Sequence, residues 1–183
     1  DKDTLEALRV SKAANANLAQ YMSEQVHYPV HRNTSVKYFA SGEEKFEEMK
    51  RQLEKAEKFI FLEYFIVERG EMWNSILRIL LKKVKQGVEV RFMYDGMCSM
   101  IQLPYHYDRA MRKHGIKCKM FSPIRPTLSS YQNNRDHRKI CVIDGKVGFT
   151  GGVNLADEYI NVKERFGHWK DTAIMVKGEA VNS

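Results

Sequence analysis

The alternation of strand-like and helix-like apolar runs between residues 34 and 94 constrains this chain more than any other feature. Thr34 to Phe39 reads as a strand, and Ser41-Gly-Glu-Glu44 is a capping box. That box opens a helix whose apolar positions run through Met49, Leu53 and Ala56. Phe59 to Val67 is a near-continuous apolar strand, broken only by Glu63. From Trp73 to Val84 the apolar residues fall at 73, 76, 77, 80, 81 and 84, the spacing of a helix buried on one face. Gly87 ends that helix, and Val88 to Tyr94 is the next strand. This β-α-β-α-β rhythm predicts an α/β fold with a mixed, mainly parallel sheet flanked by helices. Tyr105 to His114 reads as a short helix and Ile116 to Phe121 as a further strand.

The chemistry-bearing run follows. Asp136-His-Arg-Lys-Ile-Cys-Val-Ile143 is rich in β-branched residues and leads into Asp144-Gly145, a strong two-residue hairpin turn. On a strand His137 and Lys139 share one side, roughly 7 Å apart. An imidazole able to attack beside a fixed cation suits phosphoryl-type transfer. Asp144 has the opposite parity and lies in the turn, where its carboxylate would brace the site through other groups. The next segment passes from a strand through Gly151 and Gly152 to Asn154, the expected N-cap of a helix. Glycines let backbone approach a ligand, so Lys139, Gly152 and Asn154 are candidate phosphate-binding residues beside His137. The run His168 to Val176 starts a further strand and places Asp171 where its carboxylate is a candidate to orient the imidazole. Glu63 either hydrogen-bonds near the site or pairs with an arginine such as Arg91.

Composition narrows the partners. The 183 residues carry a net charge of +7, which favours acidic partners: anionic lipid, nucleic acid or a phosphorylated substrate. Cys98, Cys118 and Cys141 form no close pair and read as reduced thiols, Cys141 as a buried small hydrophobe. The lysines Lys82, Lys83 and Lys85 read as a solvated helix face. The longest apolar stretch is far too short to span a bilayer. Residues 1–33 are expected to form an N-terminal helical segment, one amphipathic helix from Asp3 to about Met22, and residues 34–183 the main domain. Residues 121–134, without periodicity and holding two of the four prolines, are either a lid or lipid-contact rim or a plain surface loop.

The set His137, Lys139, Asp144, Gly151, Gly152 and Asn154 resembles the phospholipase D superfamily, defined by H-x-K-x4-D followed by a glycine pair, one residue and Asn. Phe61-Leu-Glu-Tyr-Phe65, Gly87-Val-Glu-Val-Arg91 and Trp169-Lys-Asp171 bring it closest to the bacterial cardiolipin synthase branch. The resemblance implies a phospholipase D-type sandwich, with His137, Lys139 and Asp144 counted as catalytic and Asp171 and Glu63 as supporting residues. It implies neither metal nor cofactor. Members build one site from two motifs: one histidine attacks phosphorus and the other protonates the leaving alcohol. This chain carries one motif, so it is expected to be the first motif-bearing half of a longer protein, or a protomer that completes its site as a homodimer. The implied reaction joins two phosphatidylglycerol molecules into cardiolipin and releases glycerol. The implied setting is the cytoplasmic side of the cell membrane, with anionic lipid and not nucleic acid as partner. The alternatives are a single-motif dimeric nuclease and a non-catalytic basic module on anionic membrane.

Overall fold

The computed structural model describes residues 2–97, 101–123 and 134–182. Cys98 and the central part of the proposed lid, residues 124–133, lie outside them. Helices α1 (Lys2–Ser11) and α2 (Ala13–Gln25) come first, so the single N-terminal helix is two, broken at the extended backbone of Lys12. They pack chiefly on each other. Then follow β1 (Thr34–Phe39), α3 (Gly42–Glu54), β2 (Phe59–Tyr64), α4 (Glu71–Lys85) and β3 (Glu89–Asp95). The remainder is α5 (Tyr107–Lys113), β4 (Lys117–Phe121), β5 (Lys139–Ile143), β6 (Val147–Gly151) and β7 (Ala173–Gly178). Short 3-10 turns stand at Asp157–Ile160 and Glu179–Asn182. The Ser41 hydroxyl accepts the Glu44 N–H and caps α3, as its sequence dictates. Asp144 and Gly145 both have positive φ, which the tight β5–β6 hairpin requires.

The seven strands form one mixed sheet in the order β1-β7-β6-β5-β2-β3-β4. The sheet is not mainly parallel. Only β2–β3 and β3–β4 are parallel, while β1–β7, β6–β7, β5–β6 and β2–β5 are antiparallel. A parallel neighbour needs a crossover long enough to return the chain to the same end, and α4 and α5 supply the two present. Strands β5 to β7 are joined by a hairpin and by a segment without a long helix.

Helix cover is also one-sided. Ile60, Leu62, Tyr64, Val90, Phe92, Tyr94, Cys141, Ile143, Phe149 and Met175 point to α3, α4 and α5 and make the core. The opposite face carries Val36, Tyr38, Phe61, Met93, Ile140, Val142, Ile174 and Val176, none of them fully buried. Val36 and Tyr38 are 63% and 62% exposed. A cleft of about 400 Å³ on this face is floored by Phe61, Met93, Ile140 and Val142 and edged by Arg91, Lys117 and Lys119. Among the described residues no helix lines it, and the long helices packed on the core lie on the other side of the sheet. Lys83 departs from the solvated face expected of it: it is buried, and its ammonium donates to the Ala56 carbonyl at 3.0 Å.

Candidate functional site

The β2–β5 pairing builds the floor of the site. Tyr64 lies opposite Lys139, both on the helix-covered face, and Lys139 is only 5% exposed. His137 precedes the first residue of β5, so the strand begins later than its β-branched content suggests, and the imidazole is exposed. The Lys139 ammonium donates to the His137 carbonyl at 2.5 Å and stands 5.2 Å from the centroid of the Phe65 ring. The His137 imidazole packs on the same ring, with centroids 4.7 Å apart. One aromatic side chain therefore touches both the imidazole and the cation. Cation–π contact and a carbonyl acceptor offset part of the cost of burying an ammonium.

The segment leading into His137 is pinned from β3. Asp95, at the end of that strand, takes an ion pair from Arg135 at 3.2 Å and accepts the Asp136 N–H at 3.2 Å. Arg135 also donates to the Ser122 carbonyl at 2.9 Å. A carboxylate at a strand end fixes the backbone that carries the exposed imidazole, a role invisible in the spacing of Asp95 and Asp136.

Asn154 is buried, but it caps no helix. Its Oδ1 accepts the Ile66 N–H at 2.9 Å and its amide nitrogen donates to the Tyr159 hydroxyl at 2.8 Å. The expected helix reduces to the 3-10 turn at Asp157–Ile160, which offers no helix N-terminus for an anion. Asp157 is instead committed elsewhere: its carboxylate accepts the Glu71 and Met72 N–H groups, capping α4 where Gly70 has no side chain to do so. Among the described residues these are the partners of Asn154, and they use one of its two amide hydrogens. Gly152 has a definite steric task. A Cβ there would fall 2.0 Å from the Asp171 Oδ1, so the glycine lets that carboxylate pack against the backbone after β6. The strand expected from His168 begins only at Ala173, so Asp171 precedes β7, and its Oδ1 accepts the Thr172 N–H at 2.7 Å.

Asp144 braces the backbone at the start of β2. It stands at the far end of β5 from His137, and its carboxylate accepts the backbone N–H groups of Glu57, Lys58 and Phe59 at 2.9, 2.8 and 2.8 Å. Burial opposes its ionisation, but those three donors prevail and hold the carboxyl below the usual aspartate range. It is a clamp between the hairpin and the start of β2.

Glu63 points to the opposite face of the sheet from Lys139. It is on the uncovered face, beyond reach of the inward-pointing Lys139, and its arginine is Arg138, not Arg91. Arg138 approaches Glu63 at 2.6 Å and donates to Asp136 at 2.9 Å, while Arg91 pairs with Glu89. Burial, and then the hydrogen bond and charge of Asp136, push the Glu63 carboxyl up to about 7 against the pull of Arg138. Asp136 goes the other way and stays below the usual range; burial opposes its ionisation, but the bonds from Glu63 and Arg138 favour it. The two carboxyls thus share a proton beside an arginine. Cys141 is fully buried and its thiol is pushed up to about 12 by burial, so it packs as a hydrophobe.

Residues 49–180 match the family described as cardiolipin synthase, PLD-like domain. The chain belongs to that family. This PLD-like domain is 59% identical over all 183 residues to an uncharacterized protein of Streptococcus mutans, of which it spans 40%. It is 44% identical over 157 residues to a cardiolipin synthase of Geobacillus kaustophilus, covering 85% of this chain and 31% of that protein. A cardiolipin synthase of Staphylococcus aureus is 36% identical over 160 residues, again with 31% of its length spanned. The domain therefore spans about a third of the relatives that carry that name. The fold is shared more widely. A phosphatidylserine synthase of Haemophilus influenzae superposes with a TM-score of 0.60 at 14% identity, over 79% of this chain and 33% of that one. The phospholipase D family member Nuc of Salmonella typhimurium gives 0.59 at 16% identity, over 81% and 86%. The phospholipase D-type fold expected from the motif is the one observed.

Spacing did not reveal Phe65, although it sits directly after the strand residue opposite Lys139. Aromatic residues are common in buried strands, and only the β2–β5 register brings this one under His137.

Proposed function

We propose that this PLD-like domain is one half of the active site of a phosphatidyltransferase that makes cardiolipin. The observation that carries the reading is the meeting of an exposed imidazole and a buried ammonium on one aromatic ring, in a chain 44% identical to a named cardiolipin synthase. A histidine nucleophile needs access to phosphorus, and a phosphoryl group gaining charge needs a fixed cation with little water around it.

In the proposed first step a His137 ring nitrogen attacks the phosphorus of phosphatidylglycerol. The bond from phosphorus to the headgroup glycerol breaks, and glycerol leaves with a proton from a second histidine. In the second step the glycerol hydroxyl of another phosphatidylglycerol gives its proton back to that histidine and attacks the phosphohistidine, freeing His137. Lys139 stabilises the added negative charge in both steps, with the other amide hydrogen of Asn154 as a further donor. Asp171 orients the imidazole from beside Gly152. The second histidine belongs to a second half of the longer protein, and the uncovered apolar sheet face supports a missing layer of that kind. The net charge of +7 suits an anionic membrane surface, with the domain on its cytoplasmic side.

The test is the complete protein with phosphatidylglycerol vesicles in the absence of added metal. Cardiolipin and glycerol should form in equal amounts, and His137→Ala should lower the rate by about 10⁴-fold or more. Cleavage of DNA with no lipid product would overturn the reading.

A further inference from the structure

Lys45 is the buried charge that folding alone explains least. It lies on α3 among Phe46, Met49 and Leu53, and is 2% exposed. Its ammonium donates to the Tyr64 hydroxyl at 3.1 Å and stands 5.0 Å from the centroid of that ring. Among the described residues no carboxylate comes within ion-pair distance of it. Lys83 offers the contrast, since its ammonium satisfies a backbone carbonyl beyond the end of α3. A methionine or leucine at 45 would fill the same space without a charge to desolvate.

The position of Lys45 gives the charge a use. Tyr64 is the cross-strand partner of Lys139, and Cys141 is the next inward residue of β5. Lys45 therefore sits directly behind the pair of strands that presents Lys139 and His137. The groups facing it are Tyr64 from β2, Cys141 from β5 and Asp171 from the segment before β7. Tyr64 and Cys141 are held neutral by burial, so among the described residues Asp171 is the anion that acts on it. Asp171 already leans on the site through Gly152.

We propose that Lys45 is a positioning residue of the phosphoryl-transfer site, a buried second cation that acts through Tyr64 and Asp171 and is matched by the negative charge of the bound phosphoryl group. This rests on the phosphoryl-transfer reading of His137 and Lys139. Burial brings the Lys45 ammonium down to about 8, so part of the free protein holds it neutral at mildly alkaline pH. An arriving phosphate dianion favours the charged form, and linkage then requires proton uptake on binding.

The experiment is calorimetric titration of the complete protein with inorganic phosphate at pH 8, in two buffers of different ionisation enthalpy. The wild type should take up a fraction of a proton per phosphate bound, and Lys45→Met should take up none. Tyr64→Phe keeps the ring but removes the hydrogen-bond acceptor, so it should move the Lys45-dependent limb of the pH–rate profile to lower pH. A unit charge roughly 10 Å from phosphorus in the effective dielectric of a protein changes the rate by about tenfold. Lys45→Met should lose about that factor in kcat at neutral pH, and Lys45→Arg, which stays charged, should recover much of it. Unchanged proton uptake in a folded Lys45→Met protein, or a Tyr64→Phe profile identical to wild type, overturns the proposal. Both results leave cardiolipin formation and its loss in His137→Ala untouched, so the two readings fail separately.

Discussion

Replacing Asp144 separates the clamp from the catalyst. In Asp144→Ala the N–H groups of Glu57, Lys58 and Phe59 lose their acceptor. Glu57 and Lys58 are exposed and regain water, so each costs about 0.5–1 kcal/mol, while the partly buried Phe59 N–H costs about 2 kcal/mol. The total is about 3 kcal/mol, and for a chain of this size each kcal/mol lowers Tm by about 2–4 °C. Asp144→Ala should therefore melt roughly 6–12 °C below wild type. Asp144→Asn should lose less. Asparagine tolerates the positive φ of 55°, and its single carbonyl can keep the Lys58 and Phe59 bonds that Oδ1 makes, losing only the one to Glu57. The carboxyl has a depressed folded pKa, so its contribution is present above the unfolded value near 4 and is lost as pH falls through the lower folded value. The gap between wild type and Asp144→Ala should be full at pH 7 and shrink below about pH 4. Thermal and urea unfolding across that range measure it. An Asp144→Asn protein with wild-type stability but cardiolipin synthesis lowered a hundredfold would return Asp144 to the chemistry.

Three further outcomes follow from the site. Gly152→Ala drives a Cβ into the Asp171 carboxylate and should cost about 1–3 kcal/mol of stability; the double variant with Asp171→Gly should recover most of it, as urea titration would show. Glu63 has a raised folded pKa of about 7, so the folded state binds the extra proton between the unfolded value and 7, and wild-type stability should fall as pH rises through that window. Glu63→Gln should flatten that slope in unfolding curves taken from pH 4.5 to 7.5, and an unchanged slope would place the proton elsewhere. The 183-residue chain by itself should turn over a chromogenic phosphodiester far more slowly than the complete protein, since general acid assistance to the leaving group is worth about 10²–10⁴-fold. Its specific activity should climb with concentration if two copies supply two His137 rings, and full activity from a dilute monomer would refute the two-half site.

Local signals carried the elements well. The Ser41 cap, the helix at 73–84, the hairpin at Asp144-Gly145 and the strands at 34–39 and 88–94 are set by interactions within a few residues, and those are written in the sequence. The H-x-K spacing singled out His137 and Lys139 for the same reason, since two residues so close in the chain meet on one ring even though β5 begins only at Lys139. Apart from the break at Lys12 in the N-terminal helix, the corrections depended on a second segment. Asn154 lost its helix because Asp157 caps α4, 86 residues away from it in sequence at Glu71. Asp144 braces the structure through other groups, as its place in the turn suggested, but only the fold shows those groups to be three N–H donors around the start of β2. Glu63 does pair with an arginine, but the register makes it Arg138 and not Arg91. Strand direction belongs to the same class, since the order of elements does not say which strand β5 pairs with.

The sequence by itself determined the α/β class, the family and the histidine–lysine pair, because periodicity, turn chemistry and motif spacing are short-range properties of the chain. Tertiary structure alone decided that the sheet is largely antiparallel, that no described helix lines the cleft on its second face, that Asp144 is a clamp, and that Phe65 meets both His137 and Lys139 while Lys45 bonds Tyr64 behind them. Those facts come from side chains far apart in sequence sharing a low-dielectric interior, where each buried charge or N–H must find a partner among neighbours that only folding provides.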